Sequence, residues 1–221
     1  MTFKLDPHIH SCYSSDCLTK IEDIIKKSTR LGLNIIGISD HNTIEGSKKA
    51  IDLTKNNEDL LVIPSIEIST IDGHMLGFGV EEEIPKGLTP EETIEKIHEA
   101  NGLAIVPHPY CFYRHGLLSK LGHAKIDIDA IEEKNARFLI GYSNNKAKKL
   151  TKKLKLPGLG SSDAHYVDFI GDCYSEIDCQ MNIDSVLKAI KKGKVKAKGN
   201  GTSNILLAKY LINKNFKKNT R

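Results

Sequence analysis

Histidine and carboxylate side chains recur along this chain in short clusters that suit the binding of divalent metal ions. His8 and His10 are separated by one residue, and so are Asp163 and His165. Side chains two residues apart in a β-strand point to the same face, roughly 6.5–7 Å apart, so each pair can turn both ligands toward one cation. Imidazole and carboxylate ligands without thiolates favour Zn²⁺, Mn²⁺ or Fe over Ca²⁺ or a redox cluster.

Further candidates of the same types lie between these two pairs, each at or beside the end of an apolar run. They are Asp40 and His41 after GIS, Glu67 in SIEIS, His74 after a glycine, and His108 in VPHP. A single histidine is more often a core or surface residue than a ligand, and His98 and His123 fit that description. Six of the nine histidines at strand ends, together with several acids, make metal binding the stronger interpretation.

Short apolar runs alternate with amphipathic segments along most of the chain. The predicted strands are Phe3–Ile9, Asn34–Ser39, Leu60–Ile68, His74–Val80, Leu103–Pro107, Ala130–Glu133, Gly158–Ser161 and Val195–Lys198. The predicted helices are Leu18–Leu31, Thr43–Lys55, Thr89–Asn101, Asn144–Leu154, Asp184–Lys192 and a last one from about Ser203 to Asn213. This repetition predicts a parallel α/β architecture, either an open doubly wound sheet or a closed barrel. The candidate ligands would then gather at the C-terminal ends of the strands, where barrel active sites form.

Bulk properties exclude several classes of protein. The 221 residues are 39% hydrophobic and 27% charged, with a net charge of +4, which is typical of one globular domain. No apolar run approaches the ~20 residues of a membrane span, and the N-terminus does not resemble a signal peptide. Five cysteines without a CxxC pair argue against a disulfide framework or a thiolate zinc site. These features predict a cytoplasmic protein.

Taken in order, the metal-ligand pieces resemble the PHP superfamily, named for polymerase and histidinol phosphatase domains. The pieces are His8-Ile9-His10, Asp40-His41, Glu67, His74, His108-Pro109 and Asp163-Ala164-His165. They span roughly residues 3 to 170. The resemblance implies a distorted (β/α)₇ barrel over residues 1–221, with the metals at the C-terminal rim of the strands. Residues 203–221 would form a C-terminal helix and a basic tail.

The resemblance also implies two or three divalent ions per chain, of Zn, Mn or Fe. One ion would be bound by His8, His10, Glu67 and Asp163, a second by Glu67, His74 and His108, and a third by Asp16, His41 and His165. Among these ligands, Glu67, Asp163 and His165 are expected to act in catalysis.

Two positions depart from the family pattern beside these ligands. Pro7 stands where a bulky apolar residue is more usual, and it predicts a local irregularity in the first strand because proline lacks a backbone donor. Cys17 stands where glycine is more usual. We expect this thiol, like that of Cys12, to be packed or exposed rather than bound to a metal.

The implied activity is metal-dependent hydrolysis of a phosphate ester by a metal-bound hydroxide. The substrate would be a phosphomonoester, such as a nucleotide or histidinol phosphate, or a nucleic-acid end. Cationic groups just after strand ends, Arg114, His115 and Arg137, are the candidates for holding its phosphate. No membrane and no obligate protein partner are expected.

Two other functions remain open. One is a metal-dependent amidohydrolase acting on a C–N bond, although those barrels usually bridge their metals with a lysine after strand four, where this chain has VPHP. The other is a non-catalytic metal-binding protein or nucleic-acid adaptor, although such a protein would be expected to have lost ligands.

Overall fold

The computed structural model describes residues 1–111, 116–117, 127–137 and 142–203. Its nine strands are β1 (Thr2–Ile9), β2 (Ile35–Ile38), β3 (Leu61–Ser69), β4 (His74–Phe78), β5 (Leu103–Val106), β6 (Ala130–Asn135), β7 (Gly158–Ser161), β8 (Cys173–Asp178) and β9 (Val195–Gly199). Its α-helices in these ranges with assigned bounds are α1 (Ile21–Arg30), α2 (Glu45–Thr54), α3 (Pro90–Glu99), α4 (Tyr142–Leu154) and α5 (Ile183–Lys191). The eight predicted strands and the first five predicted helices are confirmed to within three residues at each end. The last predicted helix lies outside the described residues from position 204 onward.

The strands form one sheet in the order β7-β6-β5-β4-β3-β2-β1-β8-β9. Parallel pairing joins β1 to β2 and β2 to β3, and it joins β5 to β6 and β6 to β7. Helices α1 and α2 connect the first three strands, as in other parallel α/β structures. The sheet curls into a nearly closed barrel, which confirms the predicted α/β barrel class.

The strand count differs slightly from the distorted (β/α)₇ barrel that the resemblance implies: the sheet has nine strands, and β4 and β8 run antiparallel to their neighbours. The turn between β3 and β4 is only four residues long, and a connection this short can join only antiparallel strands. Thr70 tightens this turn: its backbone N–H and its hydroxyl both donate to the Gly73 carbonyl. β8 is not among the strands predicted from the sequence, and its run CYSEID alternates buried with less buried residues.

A serine side chain joins β7, at one end of the sheet, to β8, the last strand but one at the other end. The hydroxyl of Ser175 in β8 donates to the Gly160 carbonyl in β7 at 3.0 Å and accepts from the Gly160 N–H at 2.8 Å. A Cβ atom at Gly160 would collide with the backbone carbonyl of Tyr174, so a glycine allows the two strands to approach. Ser175 thus replaces backbone hydrogen bonds between β7 and β8, and we call the boundary between these two strands the seam.

Apolar side chains fill the lower part of the barrel, which we define as the part at the N-terminal ends of β1, β2 and β3. The upper end, at the C-terminal ends of these strands, is left for polar groups. Leu5, Ile35 and Ile63 belong to the inner cluster, which includes Val186 and Ile190 of α5. Two outer clusters pack the sheet against the other helices. In the described residues, no helix has the length and apolar character needed to cross a membrane.

Candidate metal centre

All nine predicted metal ligands lie in one cluster at the upper end of the barrel. They come from the ends of β1, β2, β5 and β7, from β3, and from the loop after β1. The remaining ligand, His74, begins β4, and the reversed direction of that strand brings its first residue to the same rim. Isolated bridges between Ile9 and Ala164 and between His41 and Glu67 hold the rim segments together.

The backbone is irregular where it presents these ligands. The pairing register of β1 with β2 shifts between Asp6 and Ile9, as the proline in that stretch predicts. His108 and Asp163 have positive φ angles of 29° and 50°. Non-glycine residues seldom adopt this region, and they concentrate at functional sites when they do.

Glu67 lies at the centre of the cluster, and its two carboxylate oxygens face different histidines. Oε1 lies 3.0 Å from His74 Nδ1 and 3.0 Å from His108 Nε2. Oε2 lies 3.1 Å from Nδ1 of His41, and the Nε2 atoms of His8 and His10 are at 3.4 and 3.3 Å. Burial opposes ionisation of this carboxyl, but the surrounding imidazoles hold its pKa well below the usual range. A carboxylate in this position can bridge two cations.

Asp16 and Asp163 complete the cluster on the side of His165. Asp16 Oδ2 lies 2.9 Å from His165 Nε2 and 3.7 Å from His41 Nε2. Partial burial opposes its ionisation, but hydrogen bonds from these two histidines lower its pKa. Asp163 Oδ1 lies 3.7 Å from His10 Nε2 and 3.5 Å from His165 Nδ1.

The donor atoms fit divalent metal ions in number, type and spacing. Three groups have ligand atoms within 4.8 Å of one another: His8, His10 and Glu67; His10, Asp16, His41 and His165; and His41, Glu67 and His74. The first two overlap the implied first and third ligand sets. The third combines Glu67 and His74 of the implied second set with His41. The division of the nine ligands among individual ions stays a prediction.

The ionisation of two buried imidazoles also suits metal binding. Burial and the charge of His165 hold the pKa of His10 well below its usual range. Burial and Arg137 lower the pKa of His165. Neutral imidazole is the form that offers a lone pair to a metal ion.

Comparison with known families agrees with this geometry. The family model described as "PHP domain" matches residues 6–155, and a second, described as "PHP-associated", matches residues 141–195. This chain belongs to the PHP domain family.

The matched relatives of this PHP domain include one close in sequence. The Methanocaldococcus jannaschii protein MJ1587 is 40% identical over 152 residues, which cover 64% of this chain and 87% of that protein. A two-domain Bacteroides vulgatus protein containing a predicted PHP-like metal-dependent phosphoesterase has a TM-score of 0.72 at 16% identity. The match covers 90% of this chain and 65% of that protein, just under two thirds.

A second solved structure is an amidohydrolase from Chromobacterium violaceum with bound sulfate and no metal. It has a TM-score of 0.64 at 13% identity, and the match covers 87% of this chain and 97% of that one. At such identities, both solved structures show a shared fold alone.

The PHP domain contains a buried carboxylate that the sequence analysis did not include in the site. Glu132 Oε1 lies 2.8 Å from His8 Nδ1 and accepts from the Ser161 hydroxyl at 2.5 Å. Glu132 Oε2 accepts from the His108 N–H at 2.7 Å and from the Asn135 amide at 2.9 Å. The Asn135 amide also donates to Asp163 at 3.1 Å. The Glu-x-x-Asn spacing from Glu132 to Asn135, at the end of β6, is the feature of the sequence that could have indicated this carboxylate.

Asp40 supports the site and is not among the clustered ligand atoms. Its carboxylate accepts from the N–H and the hydroxyl of Ser11, both at 2.6 Å, and from the Ser14 hydroxyl at 2.9 Å. Ser14 Oγ lies 3.1 Å from His10 Nδ1 and accepts from the His41 N–H at 2.9 Å. Asp40 thereby holds the loop that carries Asp16.

One of the three predicted substrate-binding residues lies in the described part of the PHP domain. Arg137 Nη1 is 3.0 Å from Asp163 Oδ1 and 2.9 Å from His165 Nδ1, and its side chain is 23% exposed. Arg114 and His115 lie outside the described residues.

The cysteine beside Asp16 is packed beneath the site. The buried Cys17 thiol donates to the backbone carbonyls of His10 and His165 at 3.3 and 3.4 Å, and burial raises its pKa. The Cys12 side chain is exposed. These contacts agree with the expectation that Cys17 is not a ligand.

Proposed function

We propose that this chain is a metal-dependent hydrolase of phosphate esters. The observation that carries the proposal is the position of Glu67 among five imidazoles. Two of them lie near one of its carboxylate oxygens, and three lie near the other. A bridging carboxylate of this kind fits a site with two closely spaced ions. The Bacteroides vulgatus neighbour, described as containing a predicted PHP-like metal-dependent phosphoesterase, supports the same reaction class.

Two or three divalent ions of Zn, Mn or Fe would be held by the nine clustered residues in the sets that the family resemblance implies. Such ions activate a water molecule, orient the phosphorus centre and neutralise charge on its oxygens. Glu67 and Asp163 contribute negative charge where the cations bind. His10 and His165 contribute neutral nitrogen donors, because their pKa values are lowered.

Arg137 is the group that we assign to the substrate. Its guanidinium lies beside Asp163 and His165 at the partly exposed side of the cluster. The planar fork of N–H donors on its guanidinium matches the spacing of two phosphate oxygens. Arg137 would bind the phosphate of a phosphomonoester or of a nucleic-acid end while the ligands hold the ions.

A reconstitution assay tests this function. Chelated protein is reloaded with Mn²⁺ or Zn²⁺ and offered chromogenic phosphomonoesters, a chromogenic phosphodiester and an oligonucleotide. We expect metal-dependent phosphate release, and we expect Glu67→Gln to reduce it at least about 100-fold because one oxygen can no longer bind a cation. The matched control is Glu58→Gln, an exposed position that should keep full activity. Absence of release from every substrate would refute the proposal.

The amidohydrolase neighbour makes C–N hydrolysis the second candidate. Against it, this chain has VPHP where those barrels usually have their bridging lysine, and Glu67 can bridge the metals instead. Offering N-acyl substrates to the same reloaded protein separates the two reactions. Metal binding without hydrolysis of either class would instead favour an adaptor.

A further inference from the structure

Charge is distributed unevenly along this chain. Residues 1–141 contain 15 basic and 22 acidic residues, whereas residues 142–221 contain 17 basic and 6 acidic residues. A net charge of −7 thus adjoins a net charge of +11 in a protein whose total is only +4. Such asymmetry is a sequence signature of proteins that bind polyanions.

Much of this positive charge is concentrated on α4, which has lysines and no acidic residue. Lys148 and Lys152 are four residues apart, as are Lys149 and Lys153, and like charges at this spacing destabilise a helix. The helix buries Ala147 and Leu150 toward the barrel and leaves the lysines exposed. The other α-helices with assigned bounds contain both acidic and basic residues. The repulsion between like charges therefore destabilises α4 more than it destabilises them.

The α4 lysines lead to a groove at the base of the barrel. Lys152 and Lys155 contribute to one wall of this groove, and Lys191 and Lys192 at the end of α5 contribute to the other. Lys152, Lys155 and Lys192 form no ion pair with any described residue, and Lys191 lies 3.3 Å from Asp129. We call the exposed lysines of α4 together with this groove the lysine track.

The other end of the lysine track lies beside the metal centre. Asn144 in the first turn of α4 exchanges hydrogen bonds of 3.0 and 3.2 Å with the backbone of Asn135, whose side chain contacts Asp163. Lys146 lies over the ring of Tyr110, 4.1 Å from its centroid. The 13 residues of α4 extend about 20 Å from this rim toward the base.

We propose that the lysine track binds the phosphate backbone of a single-stranded nucleic acid whose end reaches the metal centre. Lysines spaced along a surface suit a repeating phosphate backbone, and exposed aromatic rings suit unstacked bases. Tyr142, at the rim end of α4, is 71% exposed and supplies such a ring. We assign a single strand because six of the nine candidate ligands are buried, and a flexible end reaches buried groups more readily than a duplex does.

A membrane surface fits the same lysines less well. The apolar side chains of α4 face the barrel, and Leu154 is the only large exposed aliphatic side chain on the helix. A helix that inserts into the lipid interface presents a continuous apolar face opposite its charges.

Binding is tested without hydrolysis, so the result does not depend on the proposed function. Fluorescence anisotropy of a labelled dT₂₀ strand is measured with the full chain in EDTA at 50, 100 and 200 mM salt. The variant combines Lys149→Gln, Lys152→Gln, Lys155→Gln and Lys192→Gln. We expect affinity at 100 mM salt to fall on the order of 100-fold and the slope of log K against log salt to shrink by about 3, because each phosphate contact in a single strand contributes about 0.7.

The matched control removes four equally exposed lysines from the acidic part of the chain, by Lys20→Gln, Lys26→Gln, Lys49→Gln and Lys55→Gln. It has the same net charge as the variant and should bind within about twofold of the unaltered protein. A separate Tyr142→Ala variant should weaken binding about tenfold through lost stacking.

Three results would overturn the proposal. They are equal weakening by the two lysine variants, tighter binding of a duplex than of dT₂₀, and binding of anionic vesicles without binding of dT₂₀. With Mn²⁺ restored, the lysine-track variant should raise KM for an oligonucleotide and leave kcat for a chromogenic monoester unchanged. If the unaltered protein hydrolyses neither substrate, the proposed function fails, while the measurement in EDTA still decides whether the lysine track binds.

Discussion

At the residue scale, two of the candidate metal-ligand histidines, His8 and His10, have a side-chain partner on the ring nitrogen that faces away from Glu67. Glu132 contacts His8 Nδ1, and Ser14 contacts His10 Nδ1. These contacts direct the Nε2 atoms of both rings toward Glu67 and to within 2.9 Å of each other. Partners of this kind determine the tautomer and the orientation of a ligating imidazole, and their loss typically weakens metal affinity 10- to 100-fold.

Glu132→Gln should therefore weaken metal binding without removing a ligand. Burial opposes ionisation of Glu132, but His8 lowers its pKa, so the ionised carboxylate accepts from donors on both oxygens. A glutamine amide would place N–H groups against some of those donors. We expect about 10- to 100-fold lower Mn²⁺ or Zn²⁺ affinity by calorimetry and a loss of about 1–3 kcal/mol in the free energy of unfolding of the metal-free protein.

The neighbouring Glu133→Gln is the control for this prediction. Glu133 accepts from the Thr151 hydroxyl at 3.0 Å, away from the metal ligands. Unchanged metal affinity in Glu132→Gln, or equal losses in the two variants, would show that Glu132 does not orient His8.

At the scale of elements, the seam between β7 and β8 depends on a side chain. Ser175 has no exposed surface, and its hydroxyl satisfies both backbone groups of Gly160. The segment after β9 adds a further contact, in which the Thr202 N–H donates to the Ala136 carbonyl. The Ser175 bonds hold β7, and hence Asp163 just after it, against β8, whereas the Thr202 bond holds the segment after β9 against the end of β6.

Ser175→Ala should lower the free energy of unfolding by about 1–3 kcal/mol, because the N–H and carbonyl of Gly160 would be left buried without this partner. Urea denaturation of the metal-free protein measures the difference. Ser15→Ala, at an exposed position, should change stability by less than about 0.5 kcal/mol. A loss below that value at Ser175 would mean that the seam is held by other contacts.

At the scale of the whole molecule, the metal ligands come from many parts of the barrel. His8 and Asp163, whose side chains lie 3.8 Å apart, are separated by 155 positions (163 − 8), and His108 and Glu67 are separated by 41. Ions bound to this cluster would connect segments that meet only in the folded state. Binding to the folded state alone stabilises it by about 2.7 kcal/mol when free metal is at 100 times its Kd.

Removal of metal should therefore lower thermal stability. We expect EDTA to reduce Tm by about 5–10 °C relative to protein with saturating Mn²⁺ or Zn²⁺, as a domain of this size loses about 2–4 °C per kcal/mol. Scanning calorimetry measures the shift, and Glu67→Gln should show a much smaller one. An identical Tm with chelator and with metal in the unaltered protein would contradict binding at this cluster.

The elements were predictable because periodicity is a local property. Most of the confirmed strands are short apolar runs, and the capping box formed by Thr89 and Glu92 in front of α3 is also visible in the sequence. Strand β8 was not predicted because only alternate residues of CYSEID are buried, so the strand lacks a continuous apolar run. The antiparallel direction of β4 follows from the short turn between β3 and β4. The prediction of a parallel repeat did not take the length of this turn into account.

The types and the chain order of the nine candidate ligands could be predicted from the amino-acid sequence, because imidazole and carboxylate groups at the ends of predicted strands are recognisable without coordinates. Three further features required the folded structure: the five imidazoles around the two oxygens of Glu67, the contact of Glu132 with His8, and the role of Asp40 in supporting a loop instead of joining the clustered ligand atoms. These roles depend on distances between residues far apart in the chain. Such distances are set by the curvature and register of the closed sheet, which local patterns do not encode.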